Sequence, residues 1–194
     1  METIYFATSN KRKVEDYSRR FAPLGFEVIQ LDIELNEGRS LDILEIAKAK
    51  LEQAKAAYPN YKIIVEDRGF IIPSLNNFPG PFVKVFLNSI GIVGILDLMI
   101  NKKDKTAKFV SVLGYFDGTQ DHFFEDIEIG FLPDQIKGEN LRGWTDILYI
   151  YGHPLFPKQS LAELSDSQWQ EYLNEIEKQD YLTKFGDFLK GEVV

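Results

Sequence analysis

The chain has no cysteine and only two histidines among its 194 residues. The missing cysteines exclude a disulfide framework, a thiol nucleophile, a zinc–thiolate site and an iron–sulfur cluster. His122 and His153 are too few and too far apart in sequence for a histidine-based metal cluster. Positive charge is also short: 22 Lys+Arg against 30 Asp+Glu leave a net charge of −8. Such a chain repels a polyanionic backbone unless it builds a local basic patch, so nucleic acid is not an expected partner. Long hydrophobic runs are missing too. The longest stretch free of charge and proline, residues 85–96, is too short to cross a bilayer. Lys11, Arg12 and Lys13 follow the first apolar residues too soon for a secretory signal. A cytoplasmic protein without a membrane partner is expected.

What remains is ordinary globular material, with 44% apolar and 27% charged residues. A chain of this length buries roughly 70% of its unfolded surface and can stabilise one sizeable core. No repeat, low-complexity tract or linker divides it, so the expected organisation is a single domain, 1–194, with two lobes. Residues 3–8 are β-branched and aromatic and read as a buried strand ending at a turn. Asn10 then caps a helix to Phe21, with Val14, Tyr17 and Phe21 at helical spacing. A strand at 26–31, a helix from Ser40 or Asp42 to about Tyr58, and a strand at 61–66 follow. This β-α-β-α-β order predicts an α/β fold with parallel strands. Pro73, Pro79, Gly80 and Pro81 mark a loop, and 82–100 reads as helix broken near Gly91. Residues 107–116 and 122–131 form two strands joined at Asp117-Gly118. After a loop at 142–157, residues 160–164 and 167–189 close the chain as helices.

Several segments carry possible chemistry. Thr8-Ser9-Asn10-Lys11-Arg12-Lys13 stands at a strand-to-helix junction, where free N–H groups and the helix dipole favour phosphate. The glycines of a Walker loop are absent, and a capped helix with a solvated basic first turn has the same appearance. Glu66-Asp67 places two carboxylates at a strand end, which suits Mg2+ bound through carboxylates, water and substrate phosphates. Glu34, in the loop after another strand, is a third acid that can reach the same edge. Lys84 follows the rigid Pro79-Gly80-Pro81 turn. Gly143-Trp144 with Thr145 and Asp146 offers an indole to stack on a base and a carboxylate to read ring N–H groups.

Taken in order, these segments resemble the inosine triphosphate pyrophosphatase family. The family's T-x-N-x-x-K signature is matched by Thr8, Asn10 and Lys13, and its P-E-[LIY]-Q loop loosely by Glu34-Leu35-Asn36. Its helix lysine corresponds to Lys50, with Lys48 the other choice. E-D-[TS]-G-L appears as Glu66-Asp67-Arg68-Gly69-Phe70, and P-G-[PA]-[YF]-x-K as Pro79-Gly80-Pro81-Phe82-Val83-Lys84. Gly143-Trp144-Thr145-Asp146 is a degraded G-W-D-P, and Ser160-Leu161-Ala162-Glu163-Leu164 resembles T-x-A-E-[LM]. The C-terminal S-H-R signature, which reads a 6-keto purine in relatives, has no counterpart. Lys178 is the nearest basic stand-in, and Arg68 replaces a small hydroxyl residue beside Asp67.

The resemblance implies an elongated α/β fold, with a mixed central sheet, flanking helices and two lobes around a nucleotide cleft. It implies a homodimer that hydrolyses nucleoside triphosphates, non-standard purines such as ITP, XTP and dITP among them, to monophosphate and pyrophosphate. Thr8, Asn10, Lys13, Lys50 and Lys84 would hold the triphosphate, and Trp144 and Asp146 the base. Glu34 and Asp67 would bind Mg2+, Asp67 also acting on the attacking water, with a structural salt bridge the other role for Glu66. The rival readings are a nucleotide-binding protein without turnover, suggested by Arg68 crowding the metal site, and an interaction protein using the acidic C-terminal helices.

Overall fold

The computed structural model describes residues 1–36, 38–139 and 145–192. Its regular elements are β1 (Glu2–Ala7), α1 (Lys11–Phe21), β2 (Phe26–Leu31), α2 (Ile43–Ala57), β3 (Ile63–Ile72), β4 (Phe78–Gly80), α3 (Val83–Ser89), α4 (Gly91–Met99), β5 (Thr106–Phe116), β6 (Asp121–Phe131), α5 (Asp166–Ile176) and α6 (Tyr181–Lys190). The strands form one mixed sheet in the order β2-β1-β3-β5-β6, with β4 on β3. β1 is parallel to β2 from Glu2↔Phe26 to Ala7↔Leu31, and parallel to β3 at Tyr5↔Ile63 and Phe6↔Ile64. β4 runs antiparallel to the last residues of β3. The expected mixed sheet with flanking helices is therefore present. No helix of the described residues is long and apolar enough to cross a membrane.

The chain divides into two compact units. The first comprises Met1–Arg68, Ser111–Asp126 and Gln179–Val194; the second comprises Gly69–Val110 and Ile127–Lys178. In the first, strand alternation separates two apolar layers. Ile4, Phe6 and Ile64 face Tyr17 and Phe21 of α1 and Leu182 and Phe185 of α6. Ala7, Ile63 and Val65 face Leu51 and Ala54 of α2. Phe185 anchors the first layer, its ring 5.2 Å from Phe21 and 5.0 Å from Tyr115. Burying one such ring contributes about 1.5–3 kcal/mol. Arg20 of α1 ties α6 down through two bonds to Asp180, at 2.6 and 2.9 Å. Asp180 also caps α6 by accepting the Thr183 N–H.

In the second unit Phe70, Ile72, Phe86, Ile95, Met99, Ile147, Tyr151, Trp169 and Tyr172 share one core cluster. The buried Glu128 is satisfied by the Tyr172 hydroxyl at 2.8 Å.

Three boundaries differ from the sequence expectation. The third strand does not stop at Glu66 but runs to Ile72: Lys13 and Lys50 pair Glu66 and Asp67, and β4 pairs with its last residues. Part of the proline-rich loop is strand β4, with Gly80 at φ +62°, a conformation that favours glycine. The closing region is a short 3-10 turn, Leu161–Glu163, and two helices that break where Asp180 adopts an extended cap conformation.

The β5–β6 turn supplies one stability test. Asp117 accepts from the Thr119 hydroxyl at 2.6 Å, from the Thr119 and Gln120 N–H groups, and pairs with His122 Nε2 at 2.8 Å. These bonds, the Thr119 hydroxyl foremost, hold its pKa well below the ordinary 3.8. A depressed carboxyl pKa stabilises the fold fully above the unfolded value and loses that contribution as pH falls through the folded one. Melting curves between pH 6 and pH 3 should therefore show a smaller acid-induced loss in Asp117→Asn than in the parent protein. Equal acid losses would remove Asp117 from the account.

Candidate active site

The site in the first unit is built where β1 ends beside β3. β1 stops at Ala7, and the chain turns through Thr8-Ser9-Asn10 into α1. Asn10 Oδ1 accepts the N–H groups of Arg12 and Lys13 at 3.0 and 3.4 Å, and the Asn10 N–H donates to Thr8 Oγ1 at 3.1 Å. The predicted cap is thus formed. It leaves the Asn10 amide NH2 and the Thr8 hydroxyl proton as donors at the helix N-terminus, beside a partial positive charge.

β3 continues past this point, and alternation sends consecutive side chains to opposite faces. Ile64 and Glu66 face α1, whereas Val65 and Asp67 face α2. Each carboxylate meets one lysine there. Lys13 Nζ lies 2.5 Å from Glu66 Oε2, with the carboxylate 3% exposed. Lys50 Nζ lies 2.7 Å from Asp67 Oδ2, with both side chains nearly buried. Lys48, the other choice on α2, sits over the Phe123 ring at 5.6 Å, so Lys50 is the lysine that reaches Asp67 on β3. Asp67 Oδ1 also accepts the Arg68 N–H at 2.8 Å. The Arg68 side chain is exposed, and alternation sends it to the α1 face, away from Asp67. The guanidinium therefore does not crowd Asp67 on its own face.

Glu34 is exposed in the β2–α2 connection. The neighbouring Asn36 is clamped to α2 by Gln53, which accepts its N–H at 2.8 Å and donates to its carbonyl at 2.9 Å. Gln53 is one turn beyond Lys50, so the Glu34 segment is anchored to the helix that carries that lysine. Among the described residues no group of three or more histidine or carboxylate side chains forms a metal cage. A hard cation bound through one or two carboxylates, water and substrate phosphates needs no such cage, and the oxygen donors of Asp67 fit that requirement.

Lys84 and Asp146 belong to the second unit. Lys84 is exposed in the first turn of α3, directly after the turn that Gly80 permits. Asp146 is exposed at the start of a 3-10 turn, Asp146–Tyr149, whose cap is Thr145 Oγ1 accepting the Ile147 N–H at 3.3 Å. Thr145 therefore has a local structural task. Trp144 lies outside the described residues. Lys178 is exposed and paired with Glu175 at 2.6 Å. Tyr17, which the helical spacing with Val14 and Phe21 puts on the apolar face of α1, is buried.

The chain is similar to known proteins over nearly its whole length. A dITP/XTP pyrophosphatase of Saccharolobus solfataricus is 31% identical over 186 residues, which span 95% of this chain and 92% of the relative. The inosine triphosphate pyrophosphatase of Schizosaccharomyces pombe is 31% identical over 193 residues, 94% of this chain and 96% of the relative. The solved structure of the Staphylococcus aureus Ham1 protein shares the fold with a TM-score of 0.79 at 24% identity, over 98% of this chain and 99% of that one. A HAM1 protein from Coxiella burnetii does so with a TM-score of 0.83 at 19% identity, over 98% and 100%. The family model for the Ham1 family matches residues 4–173, a span that holds every segment on which the resemblance rests and both lysine–carboxylate pairs of β3. By sequence signature, by relatives matched over nearly their whole length and by fold, this chain belongs to the Ham1 family.

Proposed function

We propose that the protein hydrolyses nucleoside triphosphates, including the non-standard purines ITP, XTP and dITP, to monophosphate and pyrophosphate. The observation that carries this reading is the pair of ionic contacts on opposite faces of β3, beside the N-terminus of α1. Two lysines and two carboxylates at one strand supply both signs of charge that a phosphoanhydride and its counter-ion require. The names of the relatives, dITP/XTP pyrophosphatase and inosine triphosphate pyrophosphatase, support it.

In this scheme the Thr8 hydroxyl and Asn10 amide donate to phosphate oxygens, and Lys13, Lys50 and Lys84 offset their charge. Trp144 stacks on the base and Asp146 accepts from it. Asp67 orients a water against the α-phosphorus and takes its proton. The new P–O bond forms as the bond from the α-phosphorus to the bridging oxygen breaks, and the electron pair leaves with pyrophosphate. Asp67 and Glu34 are the residues that would hold Mg2+, which supplies charge neutralisation on the leaving group when bound. The enzyme would act as a cytoplasmic homodimer on free nucleotides, a partner choice that the net charge of −8 supports.

A panel of ITP, XTP, dITP, GTP and ATP with Mg2+, scored for pyrophosphate, tests the proposal. Pyrophosphate release is expected. Without a histidine–arginine pair in the C-terminal helices, base discrimination rests more on stacking, which tolerates any base. The preference for ITP and XTP over ATP and GTP in kcat/KM should stay below about 1000-fold, under the scale of full hydrogen-bond readout. Nucleotide binding without pyrophosphate would identify a binding protein, and neither binding nor release would refute the proposal altogether.

A further inference from the structure

The strand beside β1 carries a polar side chain where its pattern calls for an apolar one. Phe26 and Val28 of β2 share an apolar layer with Tyr17 and Phe21 of α1, and alternation puts Gln30 on the same face. Gln30 stands opposite Phe6, and the register closes one residue later at Ala7↔Leu31. Thr8 comes next, its N–H donating to the Leu31 carbonyl at 3.1 Å. The Thr8 carbonyl lies past the last paired residue and accepts from Gln30 Nε2 at 2.8 Å. Only the amide nitrogen can face a carbonyl, so this bond also fixes which way the amide is turned.

The consequence falls on the turn into α1. Thr8 Oγ1 accepts the Asn10 N–H, and Asn10 Oδ1 accepts the first N–H groups of the helix. Thr8 is thus tied to β2 through its backbone and to the helix cap through its side chain. A peptide unit is planar and trans, so a carbonyl held toward Gln30 sends the N–H of the exposed Ser9 the opposite way. Released, the same peptide is free to rotate and to turn its carbonyl oxygen, a partial negative charge, toward an anion at the helix N-terminus.

We infer that Gln30 is a positioning residue whose amide locks the Thr8–Ser9 peptide, so that the turn meets phosphate with donors rather than with a carbonyl oxygen. This rests on Thr8 and Asn10 holding the triphosphate, as proposed above.

Three substitutions separate a donor, an acceptor and neither. Gln30→Met removes the donor at similar length, Gln30→Glu replaces it with an acceptor, and Gln30→Lys restores a donor. The probes are inorganic tripolyphosphate, ITP and ATP, each with Mg2+, at temperatures well below the melting point of every variant. In Gln30→Met the Kd for tripolyphosphate and the KM for ITP should rise about tenfold, the equivalent of one hydrogen bond. The change in kcat should be small, because ground and transition states share these contacts. ATP should suffer by the same factor as ITP, since the turn does not meet the base. Gln30→Glu should lose at least as much. Gln30→Lys should return to within about threefold of the parent in about 0.5 M salt, which screens its added charge. A purely structural glutamine would lower the melting temperature of Gln30→Met and leave these affinities alone. Parent-like affinity in Gln30→Met, or Gln30→Lys as weak as Gln30→Glu, overturns the inference, and the second comparison decides if Gln30→Met does not fold. A parent protein that binds none of the probes overturns the proposed function, and this inference with it.

Discussion

Asp67→Asn should lower turnover by at least about 100-fold, the scale of a positioned general base. The substitution keeps the size of the side chain and removes the charge that a divalent cation and a water proton require. Its structural cost is bounded by the contacts that Asp67 makes. One carboxylate oxygen receives Lys50 and the other receives the Arg68 N–H. An asparagine oxygen can serve only one side of that arrangement and leaves the nearly buried Lys50 ammonium without its counter-charge, so a fall in melting temperature accompanies the loss of turnover. The far-UV circular dichroism should be unchanged, since the strand ladder does not use the side chain. Steady-state pyrophosphate release decides the assignment: turnover within a few-fold of the parent would take Asp67 out of the chemistry.

Lys50→Met should be strongly destabilising. Lys50 and Asp67 have side chains 11% and 13% exposed, so the ammonium is the cation that makes a nearly buried carboxylate tolerable. Removing one partner of such a pair costs about 3–5 kcal/mol, whereas removing both charges can be close to neutral. Methionine keeps an apolar stem of similar length, so the loss isolates the charge. A drop of roughly 10 °C in melting temperature is expected for a chain of this size. The double variant Lys50→Met with Asp67→Asn should regain part of it, because the uncompensated carboxylate is gone. Additive losses in the double variant would mean that the pair is not energetically coupled. Activity should fall in every member of this set, which is why melting temperature is the informative readout here.

Much of the first unit was legible from local pattern. Asn10 and Asp42 announce α1 and α2 because a side-chain oxygen before an apolar-periodic run satisfies free N–H groups, and both caps form. Phe26 to Leu31, expected as a strand, is β2 to the residue. The hairpin at Asp117 followed from turn chemistry. Local pattern failed at β3. Glu66, Asp67 and Arg68 look like the end of a buried strand when read alone, since charges end apolar runs. The strand continues because Lys13 and Lys50 arrive from two different helices to pair Glu66 and Asp67, while Arg68 is exposed.

The sequence by itself determined the element order, the strand-to-helix junction at Thr8–Asn10, the acidic pair at Glu66 and Asp67, and the family to which those segments belong. These features are encoded in neighbouring residues and in spacing, and they need no knowledge of distant contacts. Tertiary structure alone decided that Lys50 rather than Lys48 meets Asp67, and that Glu66 and Asp67 face opposite helices. The reason is geometric. Which lysine reaches which carboxylate depends on the register of β1 against β3 and on the rotation of α1 and α2 over the sheet, and those are set by burial of Ile4, Phe6, Ile64, Val65 and Leu51 rather than by the charged residues themselves.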